Sequence, residues 1–296
     1  MAETRIDFRD QISSNKWKSF FLMSIIFIIF ILLGYVISLA LKIDPYLILI
    51  ISIIFSLAYI LISYYKSDKI AIASVNAKEA SREKYRQYYN SVEGLTIASG
   101  LPMPKLYIMQ SEQINAFASG RDPKHAVVCV TTGALDKLSK QELEGVLAHE
   151  LSHIADYDIR YMTLATVMVG MIAIISEIFL RSMWFSSGGN DNDNKGNIIF
   201  IIIGIALAIL APIAVQLVQL AISRKREFAA DASAVKFTRY PPGLIGALKR
   251  IKKENEPEKK INHAMAPMFF ANPFNFRELT STHPPIDKRI ETLERM

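Results

Sequence analysis

Residues 147–154 read Leu-Ala-His-Glu-Leu-Ser-His-Ile and decide both the fold and the chemistry of this chain. Helical residues four apart lie on one face, so the imidazoles of His149 and His153 can converge on one metal ion. Glu150 is turned by about 100 degrees from His149 and can reach a water molecule beside that ion. The chain has only five histidines, so this spacing rarely arises by chance. The alternative is a pair of surface histidines on a solvated helix.

The residues before this stretch predict where its helix starts. Ser139 is followed three residues later by Glu142, which is a capping box. In that arrangement the serine oxygen accepts a free backbone N–H and the glutamate reaches back to the cap. We therefore expect a helix that begins at Lys140, continues to Arg160 and runs directly into the apolar segment that follows.

A catalytic zinc needs three protein ligands and an open position, so a third ligand must come from elsewhere. The extended metzincin pattern requires glycine at 156 and histidine at 159, but the chain has Asp156 and Ile159. Glu227 and Asp231 lie four apart in a later helical stretch. Joined to the first pattern, this spacing assigns Glu227 to the metal and Asp231 to the N–H of a ligand imidazole. The alternative for Glu227 is a salt bridge with the neighbouring arginines.

The composition indicates an integral membrane protein. Hydrophobic residues make up 51% of the 296 positions and charged residues only 21%, which excludes a disordered tail or a nucleic-acid-binding arm. An uncharged run of about 20 residues can cross a bilayer as a helix. Two runs fit this rule well and two, which carry polar residues, fit it less well: Ser19–Leu41, Tyr46–Tyr65, Met162–Leu180 and Ile198–Ile222. The alternatives are a signal peptide for the first and buried or membrane-surface helices for the last two.

Basic residues predict the orientation of these spans. They cluster before the first span, after the second and after the fourth, so all three clusters belong on the cytoplasmic side. Both termini then lie inside, and the net charge of +6 reflects topology rather than nucleic-acid binding. The loop over residues 186–197, rich in Gly, Asn and Asp, lies outside. The single cysteine, Cys129, falls within an apolar run and is expected to be a core thiol.

The organisation predicted from these features is α+β but mainly α. The chain is divided into four parts. They are an N-terminal arm and membrane hairpin (residues 1–66), a first soluble part with the helix of His149 (67–161), a second membrane hairpin (162–222) and a second soluble part with Glu227 (223–296). A solvated helix is expected to leave the membrane over Val75–Ser91. Short apolar runs predict a small sheet with strands at Leu106–Met109, Ile114–Ala118 and Ala126–Thr131.

These segments together resemble the HtpX-like membrane zinc metalloproteases, relatives of the CAAX prenyl endopeptidases. Five stretches carry the likeness in family order: Asn115–Ala118, Val130–Gly133, Leu147–Ile154, Arg226–Asp231 and Ser281–Pro285. The resemblance implies a gluzincin-type peptidase domain with one catalytic Zn²⁺. Its ligands would be His149, His153 and Glu227, with Glu150 as catalytic acid and base and Asp231 behind a ligand imidazole. It further implies a multi-pass protein of a prokaryotic cell (inner) membrane, with a cytoplasmic active site, that degrades misfolded or damaged membrane proteins.

Two further site assignments and two other functions stay open. The strand of Asn115 and Ala116 could add a substrate as an extra strand, or it could be a plain edge strand. His283 could stabilise the oxyanion of the reaction, or it could serve the entry of a helix at Pro284 and Pro285. The alternative functions are prenyl endopeptidase activity on lipidated C-terminal tails and a catalytically silent membrane scaffold. The sequence gives no oligomeric state.

Overall fold

The computed structural model describes residues 8–41, 44–168, 223–254, 268–273 and 284–296. Two long helices, α1 (Phe8–Leu41) and α2 (Pro45–Tyr65), form its N-terminal hairpin. Among the described helices these two are long and apolar enough to cross a membrane. Both predicted N-terminal spans are therefore confirmed as candidate membrane helices. Many apolar side chains of α2 are exposed, which suits contact with lipid.

The third predicted span, Met162–Leu180, is described only through residue 168, and the fourth, Ile198–Ile222, lies outside the described residues. The described start of the third span belongs to helix α7, residues 158–168. Its apolar side chains form one buried cluster with side chains of α1 and α2: Leu22, Ile26, Tyr59, Tyr161, Leu164, Ala165 and Met168. The segment after the metal-binding pattern therefore packs against the membrane hairpin.

A four-stranded mixed sheet forms one wall of the soluble part. Its strands are β1 (Lys78–Glu79), β2 (Lys105–Met109), β3 (Ala116–Gly120) and β4 (Ala126–Thr131). They lie in the order β1-β2-β4-β3, in which only β2 and β4 run parallel. The small sheet is confirmed, and β3 is an edge strand that begins two residues later than predicted. It begins later because the Asn115 N–H donates to the Thr131 hydroxyl, 3.0 Å away.

The solvated helix predicted over Val75–Ser91 is wrong. Helix α3 (Ser67–Ser74) leaves the membrane hairpin, and the chain then turns at Asn76, whose φ is 50°. Lys78 and Glu79 pair with β2 instead of continuing a helix. Helix α4 (Arg86–Ser99) follows and packs its apolar side against the core. Pairing with the sheet has overridden a local pattern that favours a helix.

The helix that carries the metal-binding pattern lies at the centre of the soluble part. After α5 (Thr132–Lys137), α6 (Lys140–Ala155) packs against α4, β3, α8 (Arg224–Thr238) and α9 (Pro241–Glu254), and α10 (Ile286–Leu293) packs on α8 and α9. The predicted capping box is present in full, with Ser139 and Glu142 bonding each other's backbone N–H. This central position buries both faces of α6.

Helix α6 ends earlier than predicted. It stops at Ala155, and Tyr157 takes a left-handed conformation with φ 58° before α7 begins. The expectation of one helix through Arg160 into the membrane is therefore wrong. Because of the break, Asp158 turns back toward His153 instead of continuing along the helix axis.

The single cysteine belongs to the core, as predicted. Cys129 lies in β4 and is buried. Burial raises the pKa of its thiol well above the usual range. The thiol therefore stays protonated and behaves as a small apolar side chain.

Close packing of α6 against α9 depends on Gly145. A Cβ at this position would lie 2.6 Å from the Leu244 backbone nitrogen, so the two helices could not keep their present distance. Gly94, in the middle of α4, provides a contrast because a Cβ there meets nothing within 4 Å.

We predict opposite effects of alanine at these two glycines. Gly145→Ala should lower the free energy of unfolding by about 1–3 kcal/mol, because the overpacked helices must move apart. Gly94→Ala should raise it by about 0.5–1 kcal/mol, because alanine restricts the unfolded chain and suits a helix. Thermal unfolding of the detergent-solubilised chain checks both. Equal stability of the two variants would contradict the packing described for α6.

Candidate active site

Three potential ligand atoms meet where α6 crosses α8. The Nε2 atoms of His149 and His153 lie 3.2 Å apart. The Glu227 carboxylate places one oxygen 3.6 Å from the Nε2 of His149 and the other 3.6 Å from the Nε2 of His153. One ligand atom from each of the three residues lies within 4.8 Å of the other two. The structure thus brings together the three residues that the sequence assigns to a metal.

Local structure places each of these side chains. His149 and His153 are four residues apart on α6 and present their rings on one face. Glu227 lies in the first turn of α8, which packs directly against α6. All three side chains are buried, and so is Glu150. The two helices therefore form a site with a fixed geometry inside the protein.

The donor set fits a divalent cation such as zinc. Two imidazoles and a carboxylate are an established set of zinc ligands. Burial alone would lower the pKa of His153, but the hydrogen bond to Asp158 and the nearby carboxylates of Glu227 and Glu150 outweigh burial and raise this pKa to about 9. A site that attracts a proton this strongly has an excess of negative charge that a bound cation would neutralise.

Glu150 faces the same site from the adjacent position on α6. Burial raises its pKa, and this effect outweighs the neighbouring imidazoles of His149 and His153. The backbone N–H of Ala118 in β3 donates to the carboxylate. The Oε1 atom, although buried, has no hydrogen-bond partner among the described residues. It is therefore available to a molecule that enters the site.

A small cavity leads to these side chains. Besides His149, Glu150, His153 and Glu227, its described lining includes Ala118 of the edge strand, Ile159 and Met162 of α7, and the segment Met268–Phe270. The three candidate metal ligands, Glu150 and the edge strand therefore border one common space.

A carboxylate and a guanidinium contact the Nδ1 side of the His149 ring. Asp231 Oδ1 lies 2.9 Å from His149 Nδ1, so the predicted contact between Asp231 and a ligand imidazole is present. Arg289 of α10 donates to both oxygens of Asp231, at 2.9 and 2.7 Å. Burial alone would raise the pKa of Asp231, but Arg289 and the hydrogen bond with His149 outweigh it and keep this pKa below its usual value. Asp231 therefore remains an acceptor for the imidazole.

A second carboxylate, that of Asp158, contacts the His153 ring, and the sequence analysis did not identify it. Asp158 Oδ2 lies 3.2 Å from His153 Nδ1, and Arg226 Nε lies 3.4 Å from the other oxygen of Asp158. The only sequence signal for this contact was the position of Asp158, five residues after His153 and outside the helical period. Arg289 was missed as well, because nothing near it in the sequence points to Asp231.

Asn115 and Ala116 are predicted to bind the substrate, but their polar groups form hydrogen bonds within the chain. The Asn115 side chain bonds the backbone of Ala271 in both directions, at 2.8 and 3.0 Å. The Ala116 carbonyl accepts the Phe270 N–H at 2.8 Å. A substrate could use these groups only after displacing residues 270–271, and their role in substrate binding stays a prediction.

Of the three other histidines, His125 lies within the described residues, and His263 and His283 do not. His125 is exposed, and its Nδ1 lies 2.8 Å from the Asp122 carboxylate, away from the candidate metal ligands. His283, predicted as a possible oxyanion donor, and His263 lie outside the described residues.

Comparison with known proteins agrees with this geometry. The family model of Peptidase family M48 matches residues 80–296, which include every metal-ligand candidate. This chain belongs to peptidase family M48. A protease HtpX homolog of Caldanaerobacter subterraneus subsp. tengcongensis is 47% identical over 246 residues, 81% of this chain and 82% of the relative.

Other similarities extend over more of the chain. A protease HtpX homolog of Dictyoglomus turgidum is 42% identical over 98% of this chain and 95% of its own length. The crystal structure of S. mikatae Ste24p covers 95% of this chain and 65% of that chain, with 19% identity and a TM-score of 0.47. Family membership and the two candidate membrane helices make the protein a membrane metallopeptidase, a hydrolase that acts on proteins.

Metal affinity should depend on pH in a defined direction. The pKa of His153 is raised to about 9, so below that pH the imidazole is positively charged and carries protons on both nitrogens. One of these protons must leave before a metal can bind. We expect the apparent affinity for zinc to fall by about tenfold for each pH unit below about 9, and by less above it. Competition with a chelator of known protonation behaviour measures this slope. An affinity that stays constant between about pH 7 and 9 would contradict the charge balance described.

Proposed function

We propose that the chain is a zinc-dependent endopeptidase whose metal is held by His149, His153 and Glu227. The observation that carries this proposal is the convergence of three buried ligand atoms beside the Glu150 oxygen that has no described partner. A zinc ion held by these residues would polarise the scissile carbonyl and lower the pKa of the attacking water. All further steps fall to side chains and backbone groups of the chain.

Glu150 is the general base and then the general acid. Its Oε1 accepts a proton from the attacking water and delivers it to the nitrogen of the departing amine. The raised pKa of the buried carboxylate suits the first transfer, because a stronger base accepts the proton more readily. The Ala118 N–H holds the carboxylate in place during both steps. His283 remains a predicted donor to the oxyanion.

The edge strand β3 is proposed to hold the substrate in extended form. Alternate residues of a strand point their backbone groups to the same edge, so Ala118 faces outward as Ala116 does. The Ala116 carbonyl already accepts the Phe270 N–H, whereas Ala118 lines the cavity beside Glu150. A peptide added along this edge would donate to the Ala118 carbonyl, because the Ala118 N–H is bonded to Glu150, and would pass its scissile bond over the proposed metal ligands.

The active site is proposed to lie on the cytoplasmic side, close to the bilayer. Support comes from the basic residues that flank the candidate spans and from α7, which begins five residues after His153 and packs on the membrane hairpin. Four spans would place both soluble parts, 67–161 and 223–296, on that side. Substrates are then exposed loops or termini of misfolded or damaged membrane proteins, so the function is quality control.

Substitution of the proposed base should separate metal binding from hydrolysis. Glu150→Gln removes the proton acceptor but leaves all three ligands, so zinc should remain bound while casein cleavage falls by roughly 100-fold or more. Glu144→Gln is the matched control, because Glu144 lies on the same helix and bonds Ser91 away from the cavity. Zinc content and cleavage rate are measured on both purified proteins. Undiminished cleavage by the Glu150→Gln protein would refute the mechanism.

Placement beside the membrane can be tested with vesicles. In inverted membrane vesicles, where the cytoplasmic face is outward, an unfolded polypeptide anchored to the same membrane should be cleaved faster than its soluble copy. Anchoring holds the extended chain near the site and raises its effective concentration. Right-side-out vesicles should cleave the soluble copy only after permeabilisation. Equal rates for anchored and soluble copies would argue against membrane proteins as substrates, and cleavage by intact right-side-out vesicles would reverse the orientation.

A further inference from the structure

A polar side chain on the first candidate membrane helix contacts a carboxylate that lies beside a candidate metal ligand. Asn15 lies in α1, at the start of the candidate span Ile12–Tyr35, and is only 1% exposed. Its Nδ2 donates to Asp158 Oδ1 at 2.6 Å and to the Asp156 backbone oxygen at 3.2 Å. A buried amide on a membrane helix is costly unless such partners satisfy it. The membrane helix therefore bonds directly to the short link between α6 and α7.

Asp158 connects this amide to a metal ligand. The carboxylate is 2% exposed, and its two oxygens have different partners. Oδ2 lies 3.2 Å from His153 Nδ1, while Oδ1 accepts Asn15 and lies 3.4 Å from Arg226 Nε. A chain of contacts thus runs from α1 through one carboxylate to the imidazole.

This chain of contacts bears on which nitrogen of His153 would face a metal ion. A carboxylate that accepts the Nδ1 proton leaves Nε2 free as a ligand and fixes the plane of the ring. The two ligand histidines are supported in different ways. Arg289, from the soluble part, holds Asp231 behind His149, whereas Asn15, from the membrane hairpin, holds Asp158 behind His153.

We propose that Asn15 is a positioning residue of the active site, which makes the first membrane helix part of the metal-binding machinery as well as an anchor. Asn15 acts on His153 through Asp158, and its loss lets the carboxylate rotate away from the Nδ1 proton. This inference deepens the proposed function and rests on His153 being a metal ligand. It also predicts that a displaced membrane hairpin weakens the metal site.

The test compares full-length variants in detergent. Asn15→Ala should weaken zinc binding by about 10–100-fold, which is the usual effect of removing support behind a ligand imidazole. At saturating zinc the variant should show a lower kcat with an unchanged KM. Ser19→Ala is the matched control, because it removes another buried polar group of α1, whose described hydrogen bond runs to the backbone oxygen of Asn15 and not to Asp158. This control should bind zinc like the unmodified protein.

A double-variant cycle separates positioning from general stability. If Asn15 acts through Asp158, adding Asn15→Ala to Asp158→Asn should weaken zinc binding no further than Asp158→Asn alone. Should Asn15→Ala not fold, Asn15→Ser replaces it, since the shorter side chain cannot span the distance to Asp158.

The outcomes are distinct from those that test proteolysis. Zinc binding by the Asn15 variants equal to that of Ser19→Ala, or losses that add in the double variant, would overturn the positioning role. Neither readout depends on cleavage, so the Glu150→Gln experiment can fail while this one succeeds. Conversely, if His153→Ala binds zinc as tightly as the unmodified protein, both the proposed function and this inference fall.

Discussion

The architecture depends on holding two imidazoles and a carboxylate together in a buried place. The Nε2 atoms of His149 and His153 are 3.2 Å apart, and Glu227 faces both. Bringing ionisable groups this close without water is costly unless a cation or a shared proton compensates their charges. Helix α6, which carries both histidines, is packed between α8 and α9, and its close contact with α9 depends on Gly145. A metal ion would convert the same crowding into binding energy.

Support behind each imidazole links the site to distant parts of the chain. Asp231 and Arg289 connect His149 to α8 and to the C-terminal helix α10, and Asp158 connects His153 to the membrane hairpin. The edge strand holds Glu150 through a backbone N–H. The geometry of the candidate site therefore depends on the packing of elements that lie far apart in sequence. Displacement of any one of them would change the orientation of a particular side chain at the site.

Local patterns in the sequence predicted those features that depend on local physics. The four-residue spacing placed His149 and His153 on one helical face, and the capping box marked the start of α6. Uncharged length identified both N-terminal membrane helices. Glu227 required the joint reading of two distant patterns. In contrast, the helix predicted over Val75–Ser91 gave way to pairing with the sheet, which no local window contains.

The groups behind the ligands could not be predicted for a related reason. Asp158 contacts His153 only because the chain leaves the helical path at Tyr157, and the unbroken pattern of the sequence there favoured a longer helix. Arg289 and Asn15 reach the site by tertiary packing, from opposite ends of the chain. A single polar residue without a recognisable partner spacing carries no sequence signal for such a contact.

X-ray absorption of the zinc-loaded protein tests the central claim most directly. The account predicts one zinc per chain with two imidazole nitrogens and carboxylate oxygen at about 2.0–2.2 Å, and no sulfur. Glu227→Ala should lose the carboxylate contribution and keep both imidazoles. A sulfur ligand, more than two imidazoles, or an unchanged spectrum in Glu227→Ala would contradict the assignment of His149, His153 and Glu227 as one metal site.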